Sequence, residues 1–263
     1  MKHWWLNWPI WNVNHHMPRS WPHNSVAAVS LTFDGSTASH LDAGSHLDRA
    51  GICATFYADP ASLLEDPTRW REIVRKGHEL GNHALFAACD DDGLLIRMTP
   101  EAIAEELDEG RALLEEEFGV ARHSAAMPLV RTLPDDSGIP AVPEVIRSSV
   151  VRLNEEALGD QLRERYSVIR TPLERFNEDI EDTQRLRCCC VDGLDAVSIG
   201  LIAQIGISQG AWIILSWGPS PDPTVVGQIA RWLKKQHVWT APVIEVATHI
   251  RESSSPSPTF QSM

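Results

Sequence analysis

The 263-residue sequence predicts one large α/β domain, closed into a (β/α) barrel. Three observations predict it. Buried-strand patterns alternate with helical patterns, seven or eight such βα units can be traced, and the helices between them start and stop at recognisable caps. That alternation places a mainly parallel sheet inside a ring of helices, with any chemistry at the C-terminal ends of the strands.

The elements follow in order. Val26–Thr32 reads as a buried strand, and the helix near Ser39–Ala50 stops at Gly51. Cys53–Tyr57 reads as the next strand, and the helix Trp70–Lys76 ends at Gly77, a helix-terminating residue. Thr99, Pro100 and Glu101 form a clear helix start. Ile103, Leu107, Leu114 and Phe118 then share one face, so the acidic run from Glu105 to Glu117 is a solvated helix surface rather than a metal site. Further strands are expected at Glu144–Val151, Leu186–Val191, Trp212–Trp217 and Val243–Ala247. Helices are expected at Glu155–Glu164, Asp195–Ser208 and Thr224–Lys235.

Both ends differ in composition from this barrel, which is expected over residues 25–252. Residues 1–24 hold five of the ten tryptophans and four of the eleven histidines. They read either as indoles packed on the domain surface or as an arm for sugar stacking or homo-oligomer contact. Residues 253–263 are a Ser/Pro tail with no core material, expected to be disordered.

A formal charge of -13 argues against nucleic acid and against an anionic membrane as partners. No window is long and apolar enough to span a bilayer, and the N-terminus makes a poor secretory signal, so the expected location is cytoplasmic. Cys188, Cys189 and Cys190 alternate between strand faces and cannot jointly clasp one ion, so the five cysteines read as reduced core thiols.

Three segments carry the chemistry. Leu31-Thr32-Phe33-Asp34-Gly35-Ser36 ends the first strand, Ala54-Thr55-Phe56-Tyr57 lies on the second, and Gly77-His78-Glu79-Leu80-Gly81-Asn82-His83 is expected in a loop after a helix. In this order they resemble the NodB-homology polysaccharide deacetylases, also called carbohydrate esterase family 4. Their patterns are T-F-D-D-G, A-T-F-F/Y and G-H-E-[IL]-[GA]-N-H. The match is tight over residues 26–89 and loose to about residue 250.

The resemblance implies a distorted (β/α) barrel of about seven strands that removes acyl groups from amino sugars. It also implies a divalent metal, often zinc, held by one Asp and two His. Such a metal lowers the pKa of bound water, a carboxylate takes the water's proton, and a second group protonates the leaving amine. Asp34 matches the base, His83 the first metal histidine, and Pro128 the remnant of a substrate segment. Gly35 stands where the metal Asp is expected, Ala87 where the second metal His is expected, and Trp217 where a late acid His is expected, within the substrate-binding end.

Losing two ligands costs metal affinity on the order of 3–5 kcal/mol, so zinc is expected to be absent or weakly bound. Replacement donors could come from His40, His78, Cys89 or Asp90; His78 reads equally as a hydrogen-bonded core histidine. The leading reading is a deacetylase-like barrel with weakened or lost hydrolysis and a carbohydrate ligand. The alternatives are an active C–N hydrolase with rebuilt ligands, and a structural protein using the Trp-rich arm.

Overall fold

The computed structural model describes residues 21–83, 99–127, 156–178, 180 and 182–254. Seven parallel strands close into a barrel: β1 (Ala28–Asp34), β2 (Thr55–Ala58), β3 (Glu79–His83), β4 (Ala125–Ala126), β5 (Ile169–Glu174), β6 (Leu186–Cys190) and β7 (Trp212–Trp217). β1 pairs with β7 on one edge, and its C-terminal half pairs with β2 on the other, through Thr32–Thr55 and Asp34–Tyr57. A two-residue β8 (Trp239–Thr240) takes the N-terminal half of that second edge, opposite Ala28 and Val29. This split edge and the register shift between β5 and β6 distort the barrel.

Helices α1 (Ala38–Ala50), α2 (Pro67–Arg75), α3 (Pro100–Phe118), α5 (Ala196–Ser208) and α6 (Pro223–Leu233) cover the outside, with α4 seen over residues 156–165. The expected caps at Gly51 and Thr99 are present: Gly51 is left-handed after α1, and Thr99 Oγ1 accepts the Ala102 amide. Asp195, expected inside the helix, caps α5 instead by accepting the Ser198 amide. Ile103, Leu107, Leu114 and Phe118 are buried and the acidic residues of α3 lie outward.

Strand alternation sorts the side chains into two layers. Val29, Leu31 and Phe33 join Ile213, Leu215 and Trp217 in the apolar layer beneath the helices. Ala28, Trp212 and Ile214 face the other way, into the barrel, where they meet Val243, Val246, Ala247 and Ile250.

Those four residues belong to α7 (Val243–Ser254), which corrects the expected strand at Val243–Ala247. The β-branched run has strand composition, but its apolar spacing is that of a helix face (243, 246, 247, 250), and burial against the barrel decides the outcome. The segment Gly77–His83 is likewise corrected, since its last five residues are β3, every one buried. The expected strand at Glu144–Val151 lies outside the described residues.

The start of α7 closes the barrel floor through side chains from the strands. Thr55 Oγ1 accepts the Val243 amide at 2.9 Å, and Glu79 Oε2 accepts the Ile244 amide at 3.0 Å. Thr55 also donates to Glu79, and Ser124 donates to its other oxygen. A helix's first amides have no partner within the helix, and here a buried carboxylate supplies one.

Removing that carboxylate would strand three donors, two of them buried. Glu79→Ala should lower the unfolding free energy by about 2–4 kcal/mol in urea titration, and Glu79→Gln by less. Equal stability of the wild type and Glu79→Ala would show that the floor does not depend on this residue.

Candidate active site

Asp34 is the last residue of β1 and His83 the last of β3, so both sit at the C-terminal rim of the barrel. The Asp34 charge raises the histidine's proton affinity, while burial, the largest influence, lowers it and Arg170 lowers it further. His83 is held below the usual histidine range, and its Nδ1 has no hydrogen-bond partner among the described residues.

The partner of Asp34 is Arg170, on β5. Arg170 Nη2 donates to both carboxylate oxygens at 2.7 Å, while Nη1 donates to Ser216 Oγ at 2.6 Å and faces Cys188 Sγ at 3.3 Å. The guanidinium lies 5.1 Å from the centre of the Tyr57 ring. Arg170 is 3% exposed, so desolvation opposes its charge, but the Asp34 carboxylate more than offsets this and holds the proton firmly. The pair ties together strands 136 residues apart in sequence. Removing one member of a buried pair typically costs about 3–5 kcal/mol; the partly exposed Asp34 belongs at the low end.

Gly35 follows with φ +141°, outside the range that L side chains readily adopt. A Cβ there would lie 2.8 Å from His40 Cε1. The His40 ring cannot swing aside easily, because both nitrogens are engaged. Nδ1 accepts the Thr37 amide at 3.1 Å, which places the proton on Nε2, 3.2 Å from the Gly218 carbonyl. The expected metal-Asp position is therefore shaped for glycine.

His78 is a core histidine: Nδ1 accepts the Ala54 amide at 3.0 Å, and Nε2 lies 3.0 Å from Asp48 Oδ1. Trp217 is 3% exposed and stacks on Phe33, with ring centroids 5.1 Å apart, in the layer beneath the helices. Thus Asp34 and His83 share the rim, while Trp217 packs on the outer face of the sheet. Pro128, Ala87, Cys89 and Asp90 lie outside the described residues. Cys188 and Cys189 are buried as expected for core thiols, whereas Cys190 is exposed.

Among the described residues, no three His, Cys, Asp or Glu side chains converge as metal ligands. Asp34 already gives both oxygens to Arg170. The described residues do not supply the three-donor set of a catalytic zinc.

The polysaccharide deacetylase family model matches residues 23–134, the stretch that carries Asp34, Gly35 and His83. That stretch is similar to the polysaccharide deacetylase family. A gellan lyase from Bacillus sp is 28% identical over 109 residues, 41% of this chain but 4% of that protein's length. Three of the similar solved structures share this chain's barrel fold. A putative polysaccharide deacetylase from Mycobacterium smegmatis has a TM-score of 0.57 and 17% identity, covering 94% of this chain and 97% of its own. The Xyl-CE4 domain of a xylanase from a Trinervitermes trinervoides hindgut metagenome has a TM-score of 0.56 and 16% identity, covering 89% and 95%. A family 4 acetyl xylan esterase from Clostridium thermocellum, in complex with a cobalt ion, has a TM-score of 0.56 and 18% identity, covering 84% and 91%. At these identities the structures establish the fold.

Sequence reasoning missed Arg170, Ser216 and Glu79 as site and floor residues. Glu79 lay inside a recognised motif, and its burial partners were not legible. Arg170 is the second residue of a strand that the hydropathy pattern does not mark, since Thr171-Pro172-Leu173-Glu174 is mixed and partly exposed.

Burial also depresses His40 and His78. Below about pH 6.5 the unfolded chain binds protons at these histidines and His83 that the folded chain refuses, so stability falls with acid. The loss is at most about 1.4 kcal/mol per pH unit per histidine. Burial raises Glu79, which acts in the opposite sense above about pH 4.5. The urea midpoint should therefore drop between pH 7.5 and pH 5.5. A flat profile there would contradict neutral buried histidines.

Proposed function

We propose that this deacetylase-like barrel binds carbohydrate and has lost efficient metal-dependent deacetylation. The observation that carries the reading is the rim itself: Gly35 at the expected metal-Asp position has no room for a side chain, and Arg170 occupies both oxygens of Asp34. In the ancestral reaction a metal would activate water and polarise the acyl carbonyl. The residues in place do less. Asp34 remains partly exposed and can accept a hydrogen bond from a sugar hydroxyl, while Arg170 fixes its orientation. Neutral, buried His83 offers a second polar contact nearby.

A C–N hydrolase with rebuilt ligands is the alternative, favoured by His83 Nδ1, which has no partner among the described residues. A structural role for the Trp-rich segment and a cytoplasmic location remain proposals beside it. No described helix is long and apolar enough to cross a membrane.

The binding and hydrolase readings separate in one experiment on untagged protein. Elemental analysis after zinc loading and dialysis should find well below one metal per chain. Acetylated chito-oligosaccharide and acetyl xylan should release no acetate above the Asp34→Asn background. Gly35→Asp alone should restore neither, and should cost stability through backbone strain and the His40 contact, by roughly 1–3 kcal/mol. Stoichiometric zinc with acetate release abolished by Asp34→Asn would establish the hydrolase instead.

A further inference from the structure

Six large aliphatic side chains are exposed among the described residues, and three of them share one helix. Val197, Leu201 and Ile205 on α5 are 73%, 62% and 44% exposed. Their spacing of four stacks them in one ridge along the outer face, about 12 Å long. α5 is also the one described α-helix without a charged residue, whereas the outer face of α3 is crowded with acids. A helix that is apolar all round is normally covered on every side. Beside the ridge, Gly200 leaves a notch. Beyond its own helix, a Cβ there would meet only the edge of the half-buried Trp232 indole, at 4.0 Å.

The ridge ends close to where the described chain begins. Trp21 is 3% exposed, packs against Trp239 and His249, and donates its Nε1–H to the Gly210 carbonyl at 3.2 Å. Gly210 lies in the turn between α5 and β7, at the end of the barrel opposite Asp34 and His83. The residues before Trp21 are thus delivered to the foot of the ridge. There, Trp4, Trp5, Leu6, Trp8, Ile10 and Trp11 put six large apolar side chains into eight residues. Residues 1–20 carry Lys2 and Arg19 and no acid, in a chain of formal charge -13, so the field of the domain favours their return to its own surface. Trp11 lies ten residues before Trp21 and can reach roughly 33 Å from it. Val197 lies about 20 Å from Gly210 along the helix.

We propose that the apolar face of α5 is the docking surface for the tryptophan-rich stretch 4–11 of the same chain, with an indole in the Gly200 notch against Trp232. A second copy fits this face less well. Three aliphatic side chains fall far short of the about 800 Å² that each partner of a stable dimer buries. One or two indoles, each burying about 150–250 Å², match the ridge. The tryptophans are then spent on the flank of the barrel, which takes them out of sugar stacking at the rim and out of homo-oligomer contact. The inference rests on the structural reading of residues 1–24 and not on the carbohydrate reading of the rim.

Photocross-linking of the full chain tests it. With p-benzoylphenylalanine at Leu201, irradiation should give an adduct of monomer mass. Trypsin should place that adduct on residues 3–19, the peptide released by cleavage after Lys2 and Arg19. The same group at Glu116, exposed on α3, should give no such adduct. Trp8→Ser/Trp11→Ser should cut the yield from Leu201 at least about fivefold, because it removes two of the docking indoles. An adduct of dimer mass would assign the ridge to a second copy and overturn the proposal. Adducts only elsewhere in the chain, or a yield on residues 3–19 no higher from Leu201 than from Glu116, would overturn it as well. Sugar binding and acetate release are read separately, so the failure of either leaves this result untouched.

Discussion

The ion pair between Asp34 and Arg170 is the constraint around which the rim of the barrel is arranged. A guanidinium this deeply buried is tolerable only beside a carboxylate, and Asp34 is the carboxylate it meets. Ser216 on β7, Cys188 on β6 and the Tyr57 ring on β2 surround the same group. Four strands besides β1 are thus fixed relative to Asp34 by one side chain. The residue that the family resemblance marks as a base is here also a structural partner.

Floor and rim use the same physics for different ends. At the floor, Glu79 spends its oxygens on Thr55, Ser124 and the first amides of α7, so a buried carboxylate becomes part of the scaffold. At the rim, Arg170 engages Asp34 on one side and leaves it a fifth exposed on the other. Gly35 then turns with a conformation that its neighbour His40 fills against any side chain. A side chain at Gly35 would therefore meet a surrounding structure fitted to glycine. The proposed weakening of hydrolysis follows from that fit together with the occupied Asp34.

Much of the fold was legible because helix caps and apolar faces are local. Thr99-Pro100 and the face of α3 could be read directly, as could Gly51 and the motif strands. The failures came where tertiary burial overrode local preference. Val243–Ala247 has strand composition but is held as helix by the barrel floor, and Glu79–His83 is too polar to read as a strand although the sheet buries all of it. Of the site, Asp34, Gly35 and His83 were legible as motif positions. Arg170 was not, because its importance is a contact across 136 residues that no local pattern encodes. Trp217 was placed by motif spacing, whereas strand alternation puts its ring on Phe33.

The account turns on Asp34 being held by Arg170, and a double-mutant cycle measures that directly. Unfolding free energies of the wild type, Asp34→Asn, Arg170→Met and the double variant would be taken from urea titration at neutral pH. A coupling of about 2 kcal/mol or more is predicted, with the double variant more stable than Asp34→Asn alone because it no longer buries an unpaired cation. Additivity within about 0.5 kcal/mol would contradict the account and leave Asp34 free for other chemistry.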